Sequence, residues 1–131
     1  MDISNIFTET SNSDNRTKVL SQPSIDEITV GSSCKEIFTI PLIYSHVAEG
    51  LNVIYKQGVN VILTLTENDV EIQESTETGY TTITVELSPA QTTLFKVSCL
   101  DTRVQVKFFN IDGTITYTDT QDIKVIESLD H

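Results

Sequence analysis

The 131-residue chain has no Trp, one Met, two Cys and two His. Two cysteines are too few for a disulfide framework, so we expect Cys34 and Cys99 to be buried thiols unless the fold brings them together. A zinc site needs several His or Cys at close spacing, and His46 and His131 stand alone. No apolar run approaches the roughly 20 residues of a membrane-spanning helix. We therefore expect no metal site and no membrane span.

Motifs for catalysis and cofactor binding are also missing. There is no G-x-S-x-G nucleophile elbow, no P-loop and no G-x-G-x-x-G dinucleotide fingerprint. Alternation would place the carboxylates of Asp69 and Glu71 on one side of a strand, which is more typical of a solvent face than of acid–base chemistry. The sequence thus predicts a protein that is not an enzyme and has no cofactor.

Basic residues are scarce: eight Lys and Arg stand against 19 Asp and Glu, for a net charge of −11. Duplex nucleic acid is itself a dense line of negative charge, so we expect no direct nucleic-acid binding. Binding to anionic membranes is disfavoured for the same reason. The acidity instead favours solubility and a partner protein with a basic surface.

The sequence is rich in β-branched residues, which pack well on pleated surfaces and lose side-chain freedom in helices. Apolar residues alternate in four segments: Phe38, Ile40 and Leu42; Leu51, Val53 and Tyr55; Val59, Val61, Leu63 and Leu65; and Ile83, Val85 and Leu87. Period-two alternation repeated this often predicts an all-β fold, an Ig-like antiparallel β-sandwich of about seven or eight strands.

Two local signals refine this prediction. The stretch from Arg103 predicts a β-meander, with a type I′ turn at Asp112-Gly113 and a third strand at 123–126. Ser88, Pro89 and Gln91 match a capping box with a proline at the first helical position, which predicts one short helix near residues 88–95. We expect this helix to bridge the two sheets.

The N-terminal segment differs from the rest. Residues 1–22 are mostly Ser, Asn, Thr and Asp, which predicts an extended arm before a sandwich domain at 23–131. Ile3, Ile6 and Phe7 form a small apolar hook. One interpretation is an arm that contacts neighbouring subunits, and the other is a disordered terminus.

Charge is most uneven between Lys56 and Lys96, where there are six acids and no Lys or Arg. If 67–86 forms a hairpin, Glu67, Asp69 and Glu71 share one acidic edge. Such charges protect a sheet edge from aggregation. The functional alternative is docking to a basic partner or mimicry of a phosphate backbone.

The order of four segments resembles small β-sandwich proteins of tailed phages and prophages of Firmicutes. These segments are KEIFTIPL, LNVIYKQGVNVILTLT, ITVELSPAQTTLF and CLDTRVQVKFFNIDGTITYTDTQDIKV. The places that carry the resemblance are Phe38 to Pro41, Tyr55 with Gln57, Val85 to Phe95, and Cys99 to Gly113. It covers roughly residues 34–127, and Ser88-Pro89 and Lys107 depart from the pattern. A looser similarity is to Ig-like domains of phage baseplate and head-decoration components.

The resemblance implies a virion structural or accessory protein, such as a head decoration, head fibre or neck component. It would be made in the bacterial host cytoplasm and assembled in repeated copies or as a homo-oligomer, in contact with capsid, neck or tail proteins. Two alternatives stay open. One is an acidic intracellular inhibitor that mimics nucleic acid. The other is a carbohydrate-binding or adhesion module, for which Tyr44, Tyr55 and Tyr80 would be exposed together on one face.

Overall fold

The computed structural model describes residues 16–17, 26–97 and 101–127. The strands of this part of the chain are β1 (Arg16–Thr17), β2 (Asp26–Thr29), β3 (Cys34–Ile40), β4 (Ala48–Gln57), β5 (Asn60–Thr66), β6 (Glu71–Ser75), β7 (Tyr80–Leu87), β8 (Thr102–Asn110), β9 (Ile115–Thr118) and β10 (Gln121–Ile126). The helices are α1 (Tyr44–Val47), a 3₁₀-helix (Glu67–Asp69) and α2 (Pro89–Thr92).

The strands form two sheets. The smaller has the order β3-β7-β6, and the larger has β5, β4 and β8 side by side, with β9 and β10 beyond β8. The inward residues of both sheets pack into one core, which includes Phe38, Val53, Ile83 and Val106. This arrangement confirms the predicted all-β sandwich, with ten described strands where seven or eight were predicted. β1 and β2 add an unexpected feature, because they pair in parallel with β9 and β10.

The meander predicted for the C-terminal third is wrong for its third strand, because β10 pairs with β8 and not with β9. β4 pairs with β8 over the whole of β8, so it occupies one edge of that strand. β9 pairs with positions 107–109 of β8 and β10 with positions 102–104, so both lie along the other edge. The chain does not reverse at Asp119-Thr120. The pairing with β8 instead shifts there by one residue. The Thr118 hydroxyl accepts the Val106 N–H at this break (3.0 Å).

The hairpin at Asp112-Gly113 is present, but it is not the two-residue turn predicted. Asn110 donates its N–H to the Thr114 carbonyl (2.9 Å), and Gly113 donates to the Asn110 carbonyl (3.0 Å). Residues 111–113 therefore form a three-residue loop, in which Gly113 takes the positive φ (90°) that side chains disfavour.

β5 departs from the predicted alternation at its first residues. Leu65 is buried, but Val61 is 55% exposed and Val59, in the turn before the strand, is 90% exposed. The cause is a β-bulge opposite Tyr55 and Lys56, which shifts the register by a residue.

The acidic stretch at 67–86 is a hairpin only from Glu71 onward. Glu67 and Asp69 belong to the 3₁₀-helix that carries the chain from β5 in one sheet to β6 in the other. The Thr66 hydroxyl and the Asp69 carboxylate cap this helix reciprocally. The predicted single acidic edge of Glu67, Asp69 and Glu71 is therefore wrong, because a helical turn separates the first two from the strand.

The capping box at Ser88 is confirmed. The Gln91 N–H donates to the Ser88 hydroxyl (3.2 Å), and the Ser88 N–H donates to the Gln91 side-chain carbonyl (2.8 Å). On α2, the Thr92 hydroxyl accepts the Gly31 N–H and donates to the Ser32 carbonyl (3.1 and 2.9 Å). These bonds hold the β7–β8 connection against the turn between β2 and β3, which lie in different sheets.

Candidate functional site

Of the residues that the sequence predicts for partner contact, only the acidic group lies in the described part of the chain. Ile3, Ile6 and Phe7 lie outside the described residues. Glu67 is half-buried, whereas Asp69 and Glu71 are exposed. Asp69 accepts the N–H of Thr66 (2.9 Å), and Glu71 accepts a hydrogen bond from Gln73 (2.9 Å).

Two acids of the 67–86 stretch hold α1 in place. The Tyr44 hydroxyl donates to Glu67 Oε2 (3.0 Å), and the Ser45 hydroxyl donates to Glu74 Oε1 (2.9 Å). Burial, followed by the hydrogen bond to the Glu67 carboxylate, raises the pKa of Tyr44 well above its usual range, because both disfavour the phenolate. Glu67 and Glu74 thus fix the connection between β3 and β4, which the sequence did not predict to be helical.

Tyr55 and Gln57 carried part of the phage resemblance, and both side chains point into the sandwich. Tyr55 is fully buried and donates its hydroxyl to Glu36, which lies on β3 of the opposite sheet. Gln57 donates to the Lys96 carbonyl (2.8 Å) and accepts the Lys96 N–H (2.9 Å). This pair therefore supports the fold. With Tyr55 buried and Tyr44 bound to Glu67, Tyr44, Tyr55 and Tyr80 form no exposed aromatic platform.

The outward side of the larger sheet carries a cluster of basic residues, although the chain as a whole is acidic. We call nine outward residues of β4, β8 and β9 the basic face: Asn52, Ile54, Lys56, Arg103, Gln105, Lys107, Phe109, Ile115 and Tyr117. These nine described positions include three of the eight basic residues of the chain and none of its 19 acids. Three acids lie at its border: Asp101 and Asp122 beside Arg103, and Glu49, which is exposed at the β4 bulge near Phe109.

Lys107 is held near the centre of the basic face by two rings. Its ammonium lies 4.9 Å from the ring centroid of Phe109 on the same strand and 5.8 Å from that of Tyr117 on β9. Cation–π attraction of this kind is worth about 0.5–1 kcal/mol at a partly exposed site. The rings therefore favour a position of the ammonium beside an aromatic surface.

Arg103 and Lys56 form the second part of the basic face. They are paired across β8 and β4 and, with Ile54, Gln105 and Thr120, line an open depression. The guanidinium of Arg103 donates to the Gly58 carbonyl (3.1 Å). Its Nε lies 3.1 Å from Asp101 Oδ1, but that N–H is not aligned for a hydrogen bond, so the contact is an ion pair only.

The sequence contained a signal for the basic face that the prediction did not use. Arg103, Gln105 and Lys107 alternate with the buried residues of β8, so the same period that identified the core places them together on the opposite side. Only the pairing of β8 with β4 and β9 adds Lys56 and Tyr117 to this set.

The groups considered for chemistry remain apart within the described ranges. His46 is exposed on α1, and Cys99 lies outside these ranges. The Cys34 thiol is half-buried, with its sulfur 3.7 Å from the Glu27 carbonyl. No three His, Cys, Asp or Glu side chains of residues 26–97 and 101–127 converge on a possible metal site. None of the described helices has the length and hydropathy needed to cross a membrane.

Comparison with known proteins returns no match: the chain matches no protein-family model and no curated protein.

Proposed function

We propose that the chain is a non-enzymatic protein–protein contact module, an accessory component of a tailed-phage virion. The observation that carries the contact role is the basic face. Aromatic residues and Arg are enriched at protein interfaces, and the positions that dominate binding energy are most often Trp, Tyr and Arg. A patch with Phe109, Tyr117 and Arg103 around Lys107 has these aromatic and Arg residues.

The charge of the basic face favours one class of partner. A surface with three cations at its centre and acids only at its border attracts a carboxylate-rich protein surface, and the remaining acidic surface of the chain repels the same partner elsewhere. The partner is thus expected to be acidic at the contact, not basic as the net charge of −11 alone favours. The virion assignment itself is supported by the segment order that resembles phage β-sandwich proteins.

The test is mass spectrometry of purified particles of the phage or prophage that encodes the chain, with copy number measured against the major capsid protein. We expect a fixed copy number per particle. Complementation with Lys107→Glu should strongly reduce incorporation, because it reverses the central charge of the basic face. Lys35→Glu is the matched control, since Lys35 is exposed on the outside of the smaller sheet.

Absence of the protein from particles would refute the virion assignment. If the absent protein instead bound a basic host protein tightly and in a salt-sensitive way, the inhibitor alternative would replace it. Equal loss of incorporation in Lys107→Glu and Lys35→Glu would refute the role of the basic face.

A further inference from the structure

The free edge of β5 differs from every other sheet edge in the described part of the chain. β5 pairs with β4 and with no other described strand. Its seven residues, NVILTLT, include no charged residue and no Pro. The other edge strands β1, β2, β3 and β6 all contain charged residues, for example Glu27 on β2 and Glu71 on β6. Charged residues are a usual protection of an edge, and β5 lacks them.

We propose that β5 is the dimerisation strand of this protein and pairs antiparallel with β5 of a second copy. A net charge of −11 opposes contact between two copies at most surfaces. β5 is the one described edge strand at which two copies can meet without placing charged residues within the paired strands. The charge distribution thus selects a second copy, because an acidic or basic partner would gain no ion pair there.

A two-fold axis at Leu63 gives a self-complementary register. Ile62 then faces Thr64 of the other copy, and Leu63 faces Leu63. Regular pairing ends at Ile62, because the bulge turns Val61 to the outward face. The pairing shields the half-buried Ile62 and Leu63. It also satisfies the main-chain N–H and C=O groups that point away from β4. Such isologous contacts are the commonest in homo-oligomers.

The geometry has a consequence for the basic face. When two strands pair antiparallel about a two-fold axis, the axis runs perpendicular to the sheet. The outward faces of both copies then lie on the same side, so the dimer presents two basic faces side by side. This would make binding to a repeated lattice bivalent and raise its avidity. Only this consequence rests on the proposed function, whereas the pairing does not.

The experiment is sedimentation of the purified full-length chain from about 10 µM to about 1 mM, a range that detects dissociation constants of weak dimers. We expect a dimer that dissociates on dilution. Val61→Lys and Thr64→Lys should each weaken dimerisation about tenfold or more, because each adds a charged side chain to both copies at or beside the paired edge. Both positions are exposed, so the substitutions leave the core unchanged.

Gln73→Lys is the matched control, because it adds the same charge to an exposed position of β6, the edge strand of the smaller sheet. Hydrogen exchange supplies a local readout: the amides of residues 60–66 should gain protection as concentration rises. A monomer throughout the range, or a dimer unaffected by both β5 variants, would overturn the proposal. Protection of the β5 edge in a monomer would show that the chain's own residues cover this edge, and this result would also overturn the proposal. Lys107→Glu should not alter dimerisation, so failure here is distinct from failure of the proposed function.

Discussion

Tyr55 on β4 and Glu36 on β3 are joined by a hydrogen bond that crosses the interior of the sandwich (2.5 Å). Glu36 is 5% exposed and Tyr55 is fully buried. Glu36 shares its strand face with Phe38 and Ile40, so the alternation of β3 directs a carboxyl group into the core. A buried polar pair has a net cost unless its hydrogen bonds are made, and it fixes how one sheet sits on the other.

The first prediction concerns this pair. Tyr55→Phe removes the donor and leaves a buried carboxyl group short of one bond, so the free energy of unfolding should fall by about 1–3 kcal/mol in urea titration. Tyr80→Phe, at a half-buried position outside the core, should change it by less than about 0.5 kcal/mol. A double-mutant cycle with Glu36→Met, which removes the acceptor at similar volume, should show coupling between the two residues. Additive effects would mean that the hydrogen bond contributes nothing.

Gln57 supplies the second prediction. Its amide pairs with both main-chain groups of Lys96 and also donates to the Thr102 hydroxyl (3.0 Å). Gln57→Met keeps the volume and loses these bonds, so stability should fall by about 2–3 kcal/mol and the Lys96 amide should exchange faster with solvent. The exposed Gln73→Met is the control. Unchanged exchange at Lys96 would contradict the arrangement.

The capping box gives the third prediction. Ser88→Ala removes the acceptor for the Gln91 N–H and should lower the free energy of unfolding by about 1 kcal/mol. Ser33→Ala, at an exposed position outside any helix, should change stability by less than about 0.5 kcal/mol. The measurement is chemical denaturation of both variants. Equal behaviour of the two would show that the cap does not stabilise the connection to β8.

The fourth prediction concerns pH. Asp112 accepts hydrogen bonds from the hydroxyl and the N–H of Thr114, and these hold the pKa of its carboxyl below its usual range. A lowered folded-state pKa gives stability above the unfolded pKa of about 3.9, and this is lost as pH falls through the folded value. Thr114→Val removes the hydroxyl, so the pKa of Asp112 should rise towards its usual range in a ¹³C titration of the carboxyl. Thr120→Val should leave it unchanged. A pKa that does not move in Thr114→Val would exclude the hydroxyl as its main cause.

Local sequence patterns predicted the local structure well. The alternation around Val53, Ile83 and Val106 identified core strands, and Ser88 to Gln91 identified α2, because both signals depend on neighbouring residues alone. The predictions that were wrong depend on what another segment does. The exposure of Val61 follows from a bulge against β4, and the position of β10 follows from a register slip beside β8. No pattern within either segment encodes these pairings.

The candidate surface shows the same division. The sequence by itself determined that apolar and polar residues alternate along β8. It also determined that the chain carries a large negative charge and that β5 contains no charged residue. Only the tertiary structure decided that Lys56, Lys107 and Tyr117 share one face and that β5 lies at an edge. The physical reason is that side-chain period is a local property of a strand, whereas strand order is set by packing between residues far apart in the chain.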